Sequence, residues 1–163
     1  MIFTARKAAL SGVAAALYVV LTLVCHEFSF GVQFRASEAL TLLPFLFPET
    51  IPGLFAGCML SNLFSPFGLA DVVIGSLATL TAAILTARCK NRWLAAVPPV
   101  VINAAAIGAL IALTDPDAAR YGSLAIPFWA GIVGAGQFAV CFGLGVPLIY
   151  ALEKAKLRER LHI

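Results

Sequence analysis

The chain is a succession of apolar runs broken by short polar stretches. The run from Ala8 to Cys25 holds no charged residue and follows Arg6-Lys7. A helix crossing a bilayer core needs about 20 mostly apolar residues, so this run predicts a first membrane helix. Ala14-Ala15-Ala16 satisfies a loose signal-peptide cleavage pattern, but Leu17 to Leu21 carries the run straight past it, which favours a retained helix. After the polar pair His26-Glu27 and a loop from Ser29 to Arg35, a second helix is expected from Ala36 to Phe47, stopping at Pro48. A third runs from Ile51 to Phe64, before Pro66. Both are short for a full span and need tilting partners, or end inside the membrane against protein or water. The fourth helix runs from Ala70 to Ala87. The fifth runs from Trp93 to Thr114, with Pro98-Pro99 as a kink near its start. Beyond a polar loop from Asp115 to Leu124, a sixth runs from Pro127 to Leu152, and a charged tail follows. The pattern predicts an all-α integral membrane protein, one six-helix transmembrane domain over residues 1–163.

Composition agrees. Of 163 residues 61% are hydrophobic and 12% charged, where a soluble domain is about a quarter charged, and the mean hydropathy is +0.98. The net charge of +3 is not gathered in one patch, which argues against nucleic-acid binding. With the N-terminus in the cytoplasm, six helices leave Arg6 and Lys7, then Arg88, Lys90 and Arg92, then Lys154, Lys156, Arg158 and Arg160 on the cytoplasmic side. Only Arg35 and Arg120 fall outside it. The positive-inside rule prefers this orientation, with both termini cytoplasmic in the plasma membrane. Cys25, Cys58, Cys89 and Cys141 form no CxxC pair and have no His at zinc-ligand spacing, so they read as small packing residues.

Polar side chains inside a bilayer are expensive; a charge at its centre costs at least about 2.5 kcal/mol. In this orientation the expensive residues gather toward the outer half. Gln33, Arg35 and Glu38 lie in the first outer loop and the start of the second helix. Asn62 is near the outer end of the third, Asp71 opens the fourth, and Asn103 and Gln137 lie near mid-depth in the fifth and sixth. Together they suggest a pocket opening outward. Each has a plainer reading: Asp71 as a helix N-cap, Arg35 and Glu38 as an (i, i+3) surface pair, Asn103 and Gln137 as interhelical glue, and His26-Glu27 as interface residues. Small residues form two further patterns. Gly53 and Gly57 suit close packing within the protein, whereas Ala8, Gly12 and Ala16 give the first helix a long smooth face that could dock a partner.

No P-loop is present, and GIVGAG at 131–136 lies in a membrane helix with no strand before it, so it is no dinucleotide fingerprint. H-E-x-x-H is missing, and two His, one at position 162, leave no plausible nucleophile set; no metal or cofactor is expected and an intramembrane enzyme is disfavoured. Six helices are few for a solitary pump. The remaining classes are a binding subunit working with energy-supplying partners and a self-sufficient oligomeric channel or ion-coupled carrier.

The segments Val32 to Pro44, Ile51 to Cys58 with Asn62, Asp71 to Leu80, and Cys141 through Pro147 to Lys154 resemble the QueT family of queuosine-precursor transporters. That resemblance implies the substrate-binding S component of an energy-coupling-factor (ECF) ABC importer. It implies a six-helix fold, capture of a 7-deazaguanine compound from outside, and docking through Ala8, Gly12 and Ala16 onto a transmembrane coupling subunit that works with two ATPases. Glu38 and Asp71 then become the acids for a guanine-like edge or a cationic substituent, with Gln33, Asn62, Asn103 and Gln137 as amide contacts. Arg35 would neutralise Glu38 and hold the first loop as a gate, and Phe34 or Trp129 would stack on the base. Within that family the position of Gln137 is often Glu. The amide here leaves the aminomethyl precursor, the nitrile precursor, queuine and another flat heterocycle open.

Overall fold

The computed structural model describes residues 4–25, 29 and 34–161, and every element among them is helical. Helix α1 (Ala5–Val24) shows how the sequence sets the architecture. Its buried positions are Ser11, Ala14, Tyr18 and Thr22, a small and polar stripe at helical spacing. Val13, Leu17, Val20 and Val24 on the other face are exposed. This inverts the water-soluble pattern and is what a helix needs when hydrocarbon surrounds it.

The second expected helix is a 3-10 coil, Ala36–Phe45, with eight of its ten residues buried. Runs of this coil beyond four residues are uncommon; at about 2 Å per residue it reaches further than an α-helix, and it is thinner. A short turn (Pro48–Thr50) leads into α2 (Ile51–Asn62). The coil spans about 20 Å and α2 about 18 Å, both short of the ~30 Å hydrocarbon layer. Both are packed among other helices. Gly53 and Gly57 bring α2 against α1: a Cβ on Gly53 would lie 1.9 Å from the Ser11 carbonyl oxygen, and one on Gly57 2.8 Å from that of Ala15. Ala8, Gly12 and Ala16 stay exposed on α1.

Helix α3 (Gly68–Thr86), the single turn α4 (Arg92–Ala95), α5 (Val97–Thr114) and α6 (Ala125–Val140) complete the bundle. A 3-10 stretch, Pro116–Leu124, precedes α6. The sixth expected helix is not uniform: a π turn, Cys141–Gly145, separates α6 from α7 (Val146–Lys154), and a last turn, α8 (Leu157–Arg160), ends the described chain. Among the described residues four segments are long and apolar enough to cross a membrane: Ala5–Val24, Gly68–Thr86, Arg92–Thr114 and Arg120–Lys154. The 3-10 coil packs against α1, α3 and the π turn, so the two irregular coils meet inside the bundle.

Candidate functional site

Arg35 precedes the 3-10 coil with an extended backbone and Glu38 lies in its first turn, and both side chains border the space between the coil, α3, α5 and α6. A cavity of about 10 Å3 lies between them, lined by Arg35 and Glu38, by Gly75 and Thr79 of α3, by Asn103 and Ile107 of α5, and by Val133 and Gln137 of α6. That is of the order of one water, against a few hundred Å3 for most small-molecule pockets.

Glu38 is 1% exposed. The Tyr18 hydroxyl donates to its Oε1, and Asn103 Nδ2 donates to its Oε2 at 3.1 Å. The ion pair of Arg35 is with Asp71 rather than with this carboxylate. The guanidinium turns to α2 and α3, donating from Nη2 to Asp71 Oδ2 at 2.9 Å and from Nη1 to Asn62 Oδ1 at 3.1 Å. The surface-pair alternative for Arg35 and Glu38 is likewise overturned, since both are buried. Asp71 is no N-cap: Phe67 occupies that position, and Asp71 lies in the first turn, where the helix dipole favours a negative charge. Asn62 Nδ2 closes the arrangement by donating to the Asp71 carbonyl at 2.9 Å. Asn62 and Asp71 lie over Gly75, where a Cβ would come within 2.5 Å of Asp71 Oδ1 and 2.6 Å of Asn62 Nδ2.

Of the residues expected from sequence, Arg35, Glu38, Asn103 and Gln137 share the cavity wall. Asp71 and Asn62 stand behind it and hold Arg35 in place. Trp129 is off the wall, one helical turn from Val133, packed with Phe67 against Ile107, Ile111 and Val133. Phe34 is half-buried beside Arg35 and is not on the wall. Gln33, His26 and Glu27 lie outside the described residues.

Several contributors were not singled out. Tyr18 looked like one more member of an apolar run, and its signal was the inward stripe with Ser11, Ala14 and Thr22. Thr22 Oγ1 donates to Ser37 Oγ at 2.7 Å, linking α1 to the coil. Two cysteines expected only to pack also join the polar network. Cys58 Sγ is 3.3 Å from Thr79 Oγ1, and Cys141 Sγ in the π turn donates to the Glu38 carbonyl at 3.8 Å and to Gln137 Oε1 at 3.7 Å. Among the described residues no group of three or more His, Cys, Asp or Glu is placed to hold a metal ion.

A helical bundle with an apolar exterior, and with a carboxylate, two amides and a guanidinium buried around a water-sized cavity, has the build of a membrane protein. The sequence profile of the QueT transporter matches residues 8–154, and the chain belongs to that family, one of transporters rather than enzymes. It is similar to the queuosine precursor transporter QueT of Lactococcus lactis subsp. cremoris (strain MG1363), 42% identical over 71 residues. This aligned stretch covers 42% of this chain and 41% of the relative, so the chain matches about two-fifths of that protein's length. No solved structure matches the chain.

Proposed function

We propose that this chain is the substrate-binding S component of an ECF-type importer and that it captures a queuosine precursor, a 7-deazaguanine compound, from outside a bacterial plasma membrane. The observation that carries the reading is Glu38, a buried carboxylate held by Tyr18 and Asn103 on the cavity wall. Each carboxylate oxygen has about two acceptor sites. Tyr18 and Asn103 take one on each, which leaves a parallel pair for the N1–H and exocyclic amine of a guanine-like edge. Gln137 has its amide oxygen on Cys141, so its NH2 remains to donate to O6. Asp71 and Asn62 aim Arg35 rather than touch the ligand. The name of the lactococcal relative supports the substrate class.

In this reading six helical spans place both termini in the cytoplasm, the two short ones being the 3-10 coil and α2. Ala8, Gly12 and Ala16, exposed on α1, meet the coupling subunit, and two ATPase subunits supply the energy. The test is equilibrium binding of 7-aminomethyl-7-deazaguanine, its 7-cyano relative and queuine to the purified chain in detergent, without nucleotide. Sub-micromolar binding of one is expected, and the preferred 7-substituent reports what the neutral Gln137 selects. A folded protein that binds none of them rejects the substrate assignment.

A further inference from the structure

The link between α3 and α5 carries a second feature. It is short and holds Arg88, Lys90 and Arg92. Asn91 fixes its shape, accepting from the Leu94 backbone N–H at 2.8 Å and so capping α4. Arg92 is held on two sides: its Nη1 is 2.6 Å from Glu153 Oε2, and its guanidinium carbon lies 5.0 Å from the centre of the Tyr150 ring. Two hollows adjoin there and share Arg92 and Trp93. One, of about 430 Å3, is polar, lined by Phe45, Lys90, Asn91, Arg92, Trp93 and Glu153. The other, of about 300 Å3, is largely apolar, lined by Phe142, Val146, Pro147 and Tyr150 besides the shared pair. Trp93 is 59% and Tyr150 53% exposed, and Trp93 stacks on Phe142 at 6.2 Å.

We propose that these hollows form a binding site for one anionic phospholipid of the leaflet on the basic side of the protein, its phosphate between Lys90 and Arg92 and an acyl chain along Trp93, Phe142 and Val146. Three observations favour a lipid over a water-soluble anion. Exposed Trp and Tyr mark the headgroup level of a membrane. The polar hollow shares Arg92 and Trp93 with an apolar one, which a free phosphate would not use. Basic residues between helix ends on this side match anionic headgroups. The Glu153 carboxylate also faces the polar hollow; it is neutralised by Arg92, so Lys90 supplies the net positive charge.

The test is native mass spectrometry of the full chain in detergent with phosphatidylglycerol, phosphatidylcholine or inorganic phosphate. Phosphatidylglycerol is expected to be retained over phosphatidylcholine, and each of Lys90→Gln and Arg92→Gln to cut that retention by about fivefold. Trp93→Ala is expected to weaken retention of both lipids. Lys90 makes no ion pair among the described residues, so Lys90→Gln reads headgroup binding where Arg92→Gln also disturbs Glu153. Equal retention of the two lipids overturns the site, as does an unaltered preference in Lys90→Gln. Phosphate adducts without lipid preference overturn it in favour of a soluble anion, and a bare face would leave it to a protein partner. The 7-deazaguanine binding assay on Lys90→Gln is expected to be unchanged, so the two proposals fail separately.

Discussion

Glu38 and Arg35 are three positions apart and have opposite charge, yet they do different work. Arg35 is committed to Asp71 and Asn62, and Glu38 is left to accept from neutral donors. Glu38→Gln should therefore weaken ligand capture strongly while sparing the fold, since an amide fills the same space but cannot accept two donors at the ligand edge. The expected loss is about 3 kcal/mol or more, roughly a hundredfold in Kd by calorimetry. Tyr18→Phe removes one hydrogen bond to the carboxylate and should weaken binding by about 1.5–3 kcal/mol with the melting temperature lowered only slightly. Unchanged Kd in both variants would remove Glu38 from the site. Much of this site was legible, because a polar residue in an apolar run must find a partner, and Arg35, Glu38, Asn103 and Gln137 were singled out on that ground. Their pairing was not. Asp71 lies 36 positions from Arg35, and nothing local announces that it, rather than Glu38, is the counter-ion.

Helix positions follow from the hydrophobic runs, and proline and polar loops set the ends to within a few residues. The coil type was hidden: Ala36–Phe45 has the composition of an ordinary helix, and its tighter winding follows from threading a crowded interior. The π turn at Cys141–Gly145 was hidden for the same reason, since a single extra residue in a helical turn leaves the apolar pattern intact. The small-residue patterns, by contrast, separate cleanly. Gly53→Ala places a methyl group 1.9 Å from the Ser11 carbonyl oxygen, so α1 and α2 must part, at about 1–3 kcal/mol or more for overpacking. A lower melting temperature in detergent is expected. A Cβ at Gly12 meets nothing within 4 Å, so in Gly12→Leu melting temperature and ligand affinity should match the parent, while ATP-driven uptake in cells falls if this face docks a coupling subunit. Normal uptake by Gly12→Leu would detach α1 from that role.

Among the described residues the cavity beside Glu38 is about 10 Å3, too small for a bicyclic base, so capture at this site requires the elements around it to separate. The α1–α2 seam is a poor candidate, because backbone meets backbone there through Gly53 and Gly57 and no side chain can yield. The coil Ala36–Phe45 and the π turn are better placed. Neither has the regular i to i+4 hydrogen bonds of an α-helix, they touch each other, and the Cys141 contact to the Glu38 carbonyl is long and weak. Opening there would draw Gln137 and the π turn away from Glu38, which stays on Tyr18, while α1, α2 and the Arg35–Asp71 pair stay fixed. Hydrogen–deuterium exchange in detergent distinguishes this from a rigid pocket. With ligand bound, amides of 36–45 and 141–145 should exchange more slowly than in the empty protein, and those of 51–62 should be unaffected. Protection confined to α3 and α5, with the coil and the π turn unaltered, would place the opening on the opposite wall and rule out this route.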